Sequence, residues 1–159
     1  MIINGWTLYS HPLFLDQLER LTAAVEKSHS KDPKSYKSSA NAKLLAQLKR
    51  LTFATIPLDP ARPEFRQGGT LGASRKHWFR AKFGSGRFRL FFRYSLSGKI
   101  IVYAWVNDGD TLRTYGSKRD AYAVFKSILD KGNPPEDWDA LLAASTAFGL
   151  SIAQLDADQ

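Results

Sequence analysis

HWFRAKFGSGRFRLFFRY, residues 77–94, is the stretch whose reading decides the fold. It splits into two short runs around Gly84-Ser85-Gly86, a turn signal. In the second run Phe88, Leu90, Phe92 and Tyr94 alternate with Arg87, Arg89, Phe91 and Arg93. In the first run Phe79, Ala81 and Phe83 alternate with Trp78, Arg80 and Lys82. A period of two sends successive side chains to opposite faces of a strand. The stretch therefore reads as a β-hairpin with one face for a core. Arg80, Lys82, Arg87, Arg89 and Arg93 gather on the other face, an arrangement suited to holding phosphates.

The charge of the whole chain points to the same block. The 159 residues carry a formal net charge of +8. From Phe65 to Asn107 there is no Asp or Glu but nine Lys or Arg, including Arg75, Lys76 and Lys99. The remainder holds fourteen basic residues against fifteen acidic ones, so the excess comes from this segment alone. A concentrated excess argues for an anionic partner, either nucleic acid or an acidic protein. The chain has no cysteine, which excludes disulfides and thiolate metal sites and fits a reducing cytoplasm. No apolar run approaches the roughly 18 residues of a membrane span, and the first residues lack the order of a signal peptide.

Outward from the hairpin, the spacing predicts helices on both sides. Phe14, Leu18, Leu21 and Val25 predict a helix over 12–28, with Ser10 as N-cap and Pro12 in its first turn. Asp32-Pro33 offers a second start, and Ala40, Leu44, Leu48 and Leu51 continue it to about Thr55, before Pro57. Residues 12–55 thus read as a helical hairpin, and 56–74, rich in Pro and Gly, as a loop. Lys99–Asn107 is nearly all apolar and reads as a central strand. Ser117 starts a helix with Asp120 in the place of a capping-box acid, and a last helix runs from about Pro135 to Phe148. The final ten residues read as loosely held. The expectation is one α+β domain over 1–159: the hairpin at 12–55, a basic antiparallel sheet at 65–107 with helices on one face, and C-terminal helices at 117–148.

The residue types limit the chemistry. His11, His29 and His77 form no metal-like spacing with a carboxylate, and the basic block lacks the clustered acids that hold a divalent ion. No metal or other cofactor is expected. What remains is Lys, Arg and Tyr. Metal-free RNA cleavage needs a base for the 2′-hydroxyl, cations for the charge on the phosphorus oxygens, and an acid for the leaving 5′-oxygen. Arginine suits the second task, a lysine crowded by cations the first, and a tyrosine can move a proton or stack on a base. Arg80, Lys82 and Arg89 share the strand face, and the loop 107–116 can return Arg113 and Tyr115 to it. Lys118 and Arg119 follow at the predicted helix start, where cations oppose the helix dipole and are better placed for a ligand. With Arg75, Lys76, Arg87 and Arg93 they form the candidate phosphate contacts. Asp108 and Asp110 read as turn residues or partners of Arg113, and Trp78 and Trp105 as packing.

The strings NGW, KFGSGRFRLFFRYS, WVNDGDTLRTYG and KRDAYAVFKSIL resemble the YhaV toxins, a branch of the RelE/ParE superfamily, from about Asn4 to Trp138. The resemblance implies a RelE-like fold and a cytoplasmic ribonuclease toxin that cleaves mRNA, with the ribosome's help, and inhibits translation. It also implies a cognate PrlF-like antitoxin and operator DNA bound only by the toxin–antitoxin complex; the concentrated positive charge leads us to expect an acidic or acid-tipped partner that covers the cationic face or holds the 117–131 helix. By position, Arg80 and Lys82 match a lysine pair of RelE-type toxins, Arg89 an arginine on the next strand, and Arg113 and Tyr115 a final Arg/Tyr pair. Arginine keeps its proton near neutrality, so Arg80 is a poor base and Lys82 the better one, with Tyr115 second. Two other readings remain at this point: a non-catalytic nucleic-acid-binding protein, and a ParE-like poison of gyrase.

Overall fold

The computed structural model describes residues 1–149; the expectation for the final ten residues falls outside them. The sheet has the strand order β1 (Ile2–Ile3), β2 (Trp6–Ser10), β5 (Ile100–Val106), β4 (Phe88–Ser95), β3 (Phe79–Phe83), with β6 (Thr146–Ala147) also pairing β2. Helices α1 (Pro12–Lys31) and α2 (Ala40–Arg50) precede the basic strands. A π-helical stretch at Leu51–Thr55 and the short turn α3 (Ile56–Leu58) continue α2. Helices α4 (Ala121–Asp130) and α5 (Trp138–Ala144) follow the strands.

The hairpin forms in the expected register, with Lys82 opposite Arg89 and Arg80 opposite Phe91, and β4 runs antiparallel to β5. The sheet as a whole is mixed, which corrects the antiparallel expectation. Residues 6–10, expected as a lead-in, form a strand parallel to β5, and Trp6, Leu8 and Ser10 are its buried positions. A parallel neighbour needs a long crossover, here everything from α1 to β4.

The helices cover both faces, not one. On one face Leu90, Phe92, Ile101 and Tyr103 join Phe14, Leu18 and Val25 of α1 and Leu45 and Leu48 of α2. On the other, Phe91, Val102, Ala104 and Trp105 join Tyr122, Phe125 and Leu129 of α4 and Leu141 of α5. A register shift beside Phe91 brings Trp105 to the α4 side of the sheet. Phe91 pairs with Trp105 and Phe92 with Tyr103, leaving Ala104 as the extra residue. In an unbroken strand Tyr103 and Trp105 would share a face. Phe125 then stacks on Phe91 with centroids 4.2 Å apart and meets Trp78 edge-on at 5.1 Å. Burying each such aromatic side chain contributes about 1.5–3 kcal/mol. The cationic hairpin face is therefore half roofed by α4 and not an open plane.

Several helix ends differ from the sequence reading. His11, not Ser10, caps α1, its Nδ1 accepting from Leu13 N at 3.2 Å. Asp32 closes α1 instead of opening the next helix, which starts after Ser39. Asp120 is itself the N-cap of α4, and Asp137 that of α5, so both helices begin three residues later than expected.

The His11 cap has a pH consequence. An Nδ1 that accepts a hydrogen bond must be unprotonated, and burial lowers the pKa of His11; burial also lowers that of His77, with Arg93 nearby adding to it. The unfolded chain then takes up protons the folded chain refuses. Stability is full above the ordinary histidine value of 6.5 and falls as pH drops below it. Thermal melts should show a lower midpoint at pH 5 than at pH 7, and His11→Asn, which keeps a capping acceptor, should flatten that slope.

Candidate active site

The site is assembled from three chain segments around the N-terminal end of α4. The hairpin supplies Arg80 and Lys82 from β3 and Arg89 from β4, all on the α4 side. Directly opposed residues of an antiparallel pair lie side by side on one face, which sets Lys82 against Arg89. Arg89 is only 6% exposed. Its Nη1 donates to the carbonyls of Gly86 (2.6 Å) and Phe88 (3.0 Å), so its charge is held rigidly by the turn that leads into its own strand. Arg80 is tied at its tip to the carbonyl of Glu64 at 2.5 Å. Lys82 is exposed and has no ion pair or hydrogen bond among the described residues.

The loop after β5 brings in the fourth cation. Asn107 is buried and its side-chain amide fixes the loop: Oδ1 accepts from Arg89 N at 2.6 Å, and Nδ2 donates to the carbonyls of Arg87 (3.1 Å) and Thr111 (2.8 Å). Asp108 turns the chain by accepting from Asp110 N and Thr111 Oγ1, both at 2.9 Å. The loop then runs beside the hairpin, and Arg113 N donates to the Arg87 carbonyl at 2.9 Å. Asp120, not Asp108 or Asp110, holds the Arg113 side chain: its Oδ1 accepts from Arg113 Nη1 at 2.5 Å and from Thr114 N at 2.7 Å, and its Oδ2 from Tyr122 N at 3.0 Å. Tyr115 is 93% exposed, within reach of Arg113, whose guanidinium lies 5.7 Å from its ring centroid.

At the centre stands Tyr122, a residue the sequence reading did not single out. Its hydroxyl accepts from Arg80 Nε at 2.9 Å and Arg89 Nε at 3.3 Å. Its ring lies under the Arg113 guanidinium, 4.9 Å from the centroid, and within 5.8 Å of that of Arg89. Three guanidinium groups would repel one another; a shared acceptor and the negative ring face offset that repulsion. The signal was available in KRDAYAVFKSIL: Tyr122 lies three residues before Phe125, on the stripe that packs against the sheet.

The candidate residues divide between the two ends of α4. Arg80, Lys82, Arg89, Arg113 and Tyr115 come together at its start. Arg87 lies exposed beside them, and Lys118 and Arg119 are exposed on the turn that leads into Asp120. Arg75 and Arg93 sit at the other end. Arg75 Nε donates to Glu136 and its Nη2 to Asp130, each at 2.7 Å, and these partners, Glu136 first, raise its pKa. Arg93 donates to the Glu136 carbonyl and lies over the rings of Trp78 and Trp138, and burial pulls its pKa down. Both guanidinium groups serve to fasten the C-terminal segment to the sheet. Lys76 is exposed near Arg66 and Gln67, away from the cluster. Among the described residues no three His, Asp or Glu side chains group as metal ligands, and no helix is long and apolar enough to cross a membrane.

A rigid set of guanidinium groups, an exposed amine and an exposed phenol can bind a phosphodiester, stabilise added charge on it and move protons. A family model described as a toxin with endonuclease activity, of a toxin–antitoxin system, matches residues 8–146. The Ribonuclease toxin YhaV of Escherichia coli strain K12 and the Toxin YhaV of Escherichia coli O6:H1 are each 49% identical over 140 residues, which cover 87% of this chain and 91% of each relative. No solved structure matches. The match over most of the chain sets aside the non-catalytic and gyrase readings, and the chain belongs to the YhaV toxin family, toxins with endonuclease activity from toxin–antitoxin systems.

Proposed function

We propose that the chain cleaves mRNA without a metal, in the cytoplasm and on the ribosome, at the cluster beside the start of α4. The convergence of Arg80, Arg89 and Arg113 on Tyr122, with Lys82 free beside them, is the observation that supports this reading most. In this scheme Lys82 takes the 2′-hydroxyl proton as that oxygen attacks the adjacent phosphorus. Arg113 and Arg80 face the phosphoryl oxygens on which charge grows, while Arg89 is a buried cation that positions them. Tyr115, out in solvent, protonates the departing 5′-oxygen or stacks on a neighbouring base. Arg87, Lys118 and Arg119 line the approach and contact flanking phosphates; Lys76 is a more distant contact. Arg75 and Arg93 are left out, because acids and rings already occupy them.

A toxin–antitoxin system implies an antitoxin. We take it to be PrlF-like and acidic, with operator DNA bound by the complex alone. The packing of α1 and α2 on one sheet face, and of α4 on the other, is compatible with a RelE-like arrangement acting as one domain.

The test is cleavage of a reporter mRNA on ribosomes in Mg²⁺, and of free RNA at high protein concentration in EDTA. Wild type should give discrete products in both. Lys82→Ala should lower the rate about 10²-fold, the scale of a lost general base, with little change in melting temperature because Lys82 is exposed. Cleavage of the free RNA that is lost in EDTA and restored by a divalent ion would overturn the metal-free reading.

A further inference from the structure

A groove opens around the end of the sheet from the cationic cluster. Its inner part, about 300 Å³, lies between α1, α2 and the hairpin, walled by Leu21, Leu44 and Phe88. Its outer part shares Asn41, Leu44, Phe88 and Gly109 with the inner one and reaches Lys43, Arg87 and Leu112. Since Arg113 N donates to the carbonyl of Arg87, the mouth of the groove begins beside the proposed catalytic cations. The walls are mainly apolar, with Arg20 and a few polar side chains among them, while the mouth carries Lys43 and Arg87. That division suits a nucleotide whose base enters and whose phosphate stays outside. The inner volume lies at the small end of ligand sites, about 300–1,000 Å³.

Most polar groups inside are already committed. The Gln17 amide exchanges hydrogen bonds with the backbone of Val106, the Asn107 amide is used in fixing the loop, and Arg20 pairs with Asp16. Asp108 differs: Oδ1 holds the turn, and Oδ2 takes no hydrogen bond among the described residues. The Asn41 side chain also has no partner among the described residues and lies on the wall common to both parts. The groove thus offers a carboxylate acceptor and a free amide at the edge of an apolar slot.

We propose that this groove is the subsite for the base next to the cut, and that it favours bases carrying an amino group over uracil. The proposal rests on the RNA-cleavage reading for its role but not for its ligand. Guanine, adenine and cytosine each present an exocyclic N–H₂ to an acceptor. Uracil offers one N–H set between two carbonyls, which would face the Asp108 carboxylate with like charge. Asp108 and Asn41 are accordingly specificity residues, outside the reacting set.

The experiment has two arms. In the first, the four nucleoside 3′-monophosphates are titrated into the protein and followed by NMR at the methyl groups of Leu21, Ala24 and Leu44. Saturable shifts are expected, weakest for the uridine nucleotide, and absent in Ala24→Phe, which fills the slot from α1. Equal shifts for all four, none at millimolar nucleotide, or shifts that persist in a folded Ala24→Phe would overturn the subsite. In the second arm, cut sites in a random-sequence RNA are sequenced. Wild type should disfavour uracil at one position beside the cut at least about fivefold. Asp108→Asn, which keeps Oδ1 for the turn, should reduce that bias below about twofold while still cutting. An unchanged bias in this variant would overturn the role of Asp108. If wild type cuts no RNA, the functional reading fails, and the nucleotide titration alone then decides whether the groove binds a base.

Discussion

Arg113→Ala is expected to lower RNA cleavage about 10³-fold, the upper end of what removal of one preorganised donor to a growing oxyanion costs. Arg113 is the guanidinium best suited to that role. Arg89 is buried with its donors committed to carbonyls and to Tyr122, and Arg80 is anchored at both Nε and its tip. Arg113 spends one nitrogen on Asp120 and lies on the Tyr122 ring; its side chain is 25% exposed, and its other guanidinium nitrogens take no hydrogen bond among the described residues. Arg113→Lys should not restore activity, because an ammonium cannot hold Asp120 and a phosphoryl oxygen in one plane. Tyr122→Phe separates position from charge. It keeps the ring under Arg113 but removes the oxygen that Arg80 and Arg89 share, and should cost about tenfold. Single-turnover rates with melting temperatures on the same samples would check all three. Equal rates for wild type and Arg113→Ala would move the site elsewhere.

The hairpin was legible because its pattern and its turn agree. Alternation over residues 79–94 with glycines at the bend fixes which residues face which way, so Arg80, Lys82 and Arg89 fall on one side in the structure as in the sequence. The central strand Ile100–Val106 was legible as an apolar run, but its bulge was not, since nothing in IIVYAWV marks Ala104 as the extra residue. The parallel strand Trp6–Ser10 was hidden by its shortness and by a pairing with residues some ninety positions away, which no local pattern reports. The second helical layer was missed for a related reason. Phe91 interrupts the arginines of β4 and was read with the basic face; it is the residue on which α4 sits. Once α4 is in place, one end of the basic face becomes the candidate site and the other a fastening for the C-terminal segment. A sequence that offers ten candidate cations and one tyrosine cannot make that division, because it depends on where Asp120, Asp130 and Glu136 land.

Asp120→Ala should be the most destabilising single change in the site, at about 3 kcal/mol. Asp120 is 4% exposed, and its carboxylate accepts from two backbone N–H groups and one guanidinium. Loss of an N-cap costs about 1 kcal/mol. A hydrogen bond to a charged group adds about 1.5–3 kcal/mol, of which the Arg113 pair keeps only part because Arg113 remains partly in water. Asp120→Asn retains an oxygen for the cap and loses the charge, so it should cost about 1 kcal/mol in stability while still loosening Arg113. Asp110→Ala, on the exposed turn of the same loop, should stay within about 0.5 kcal/mol of wild type. Urea denaturation of the three variants would give that order. The cleavage rates should not follow it, because Asp120→Asn should lose far more activity than its stability predicts. The carboxylate begins α4, and the same atoms orient the arginine to which the proposed chemistry assigns the growing charge. A variant series in which rate tracked stability alone would leave Asp120 as a helix cap and nothing more.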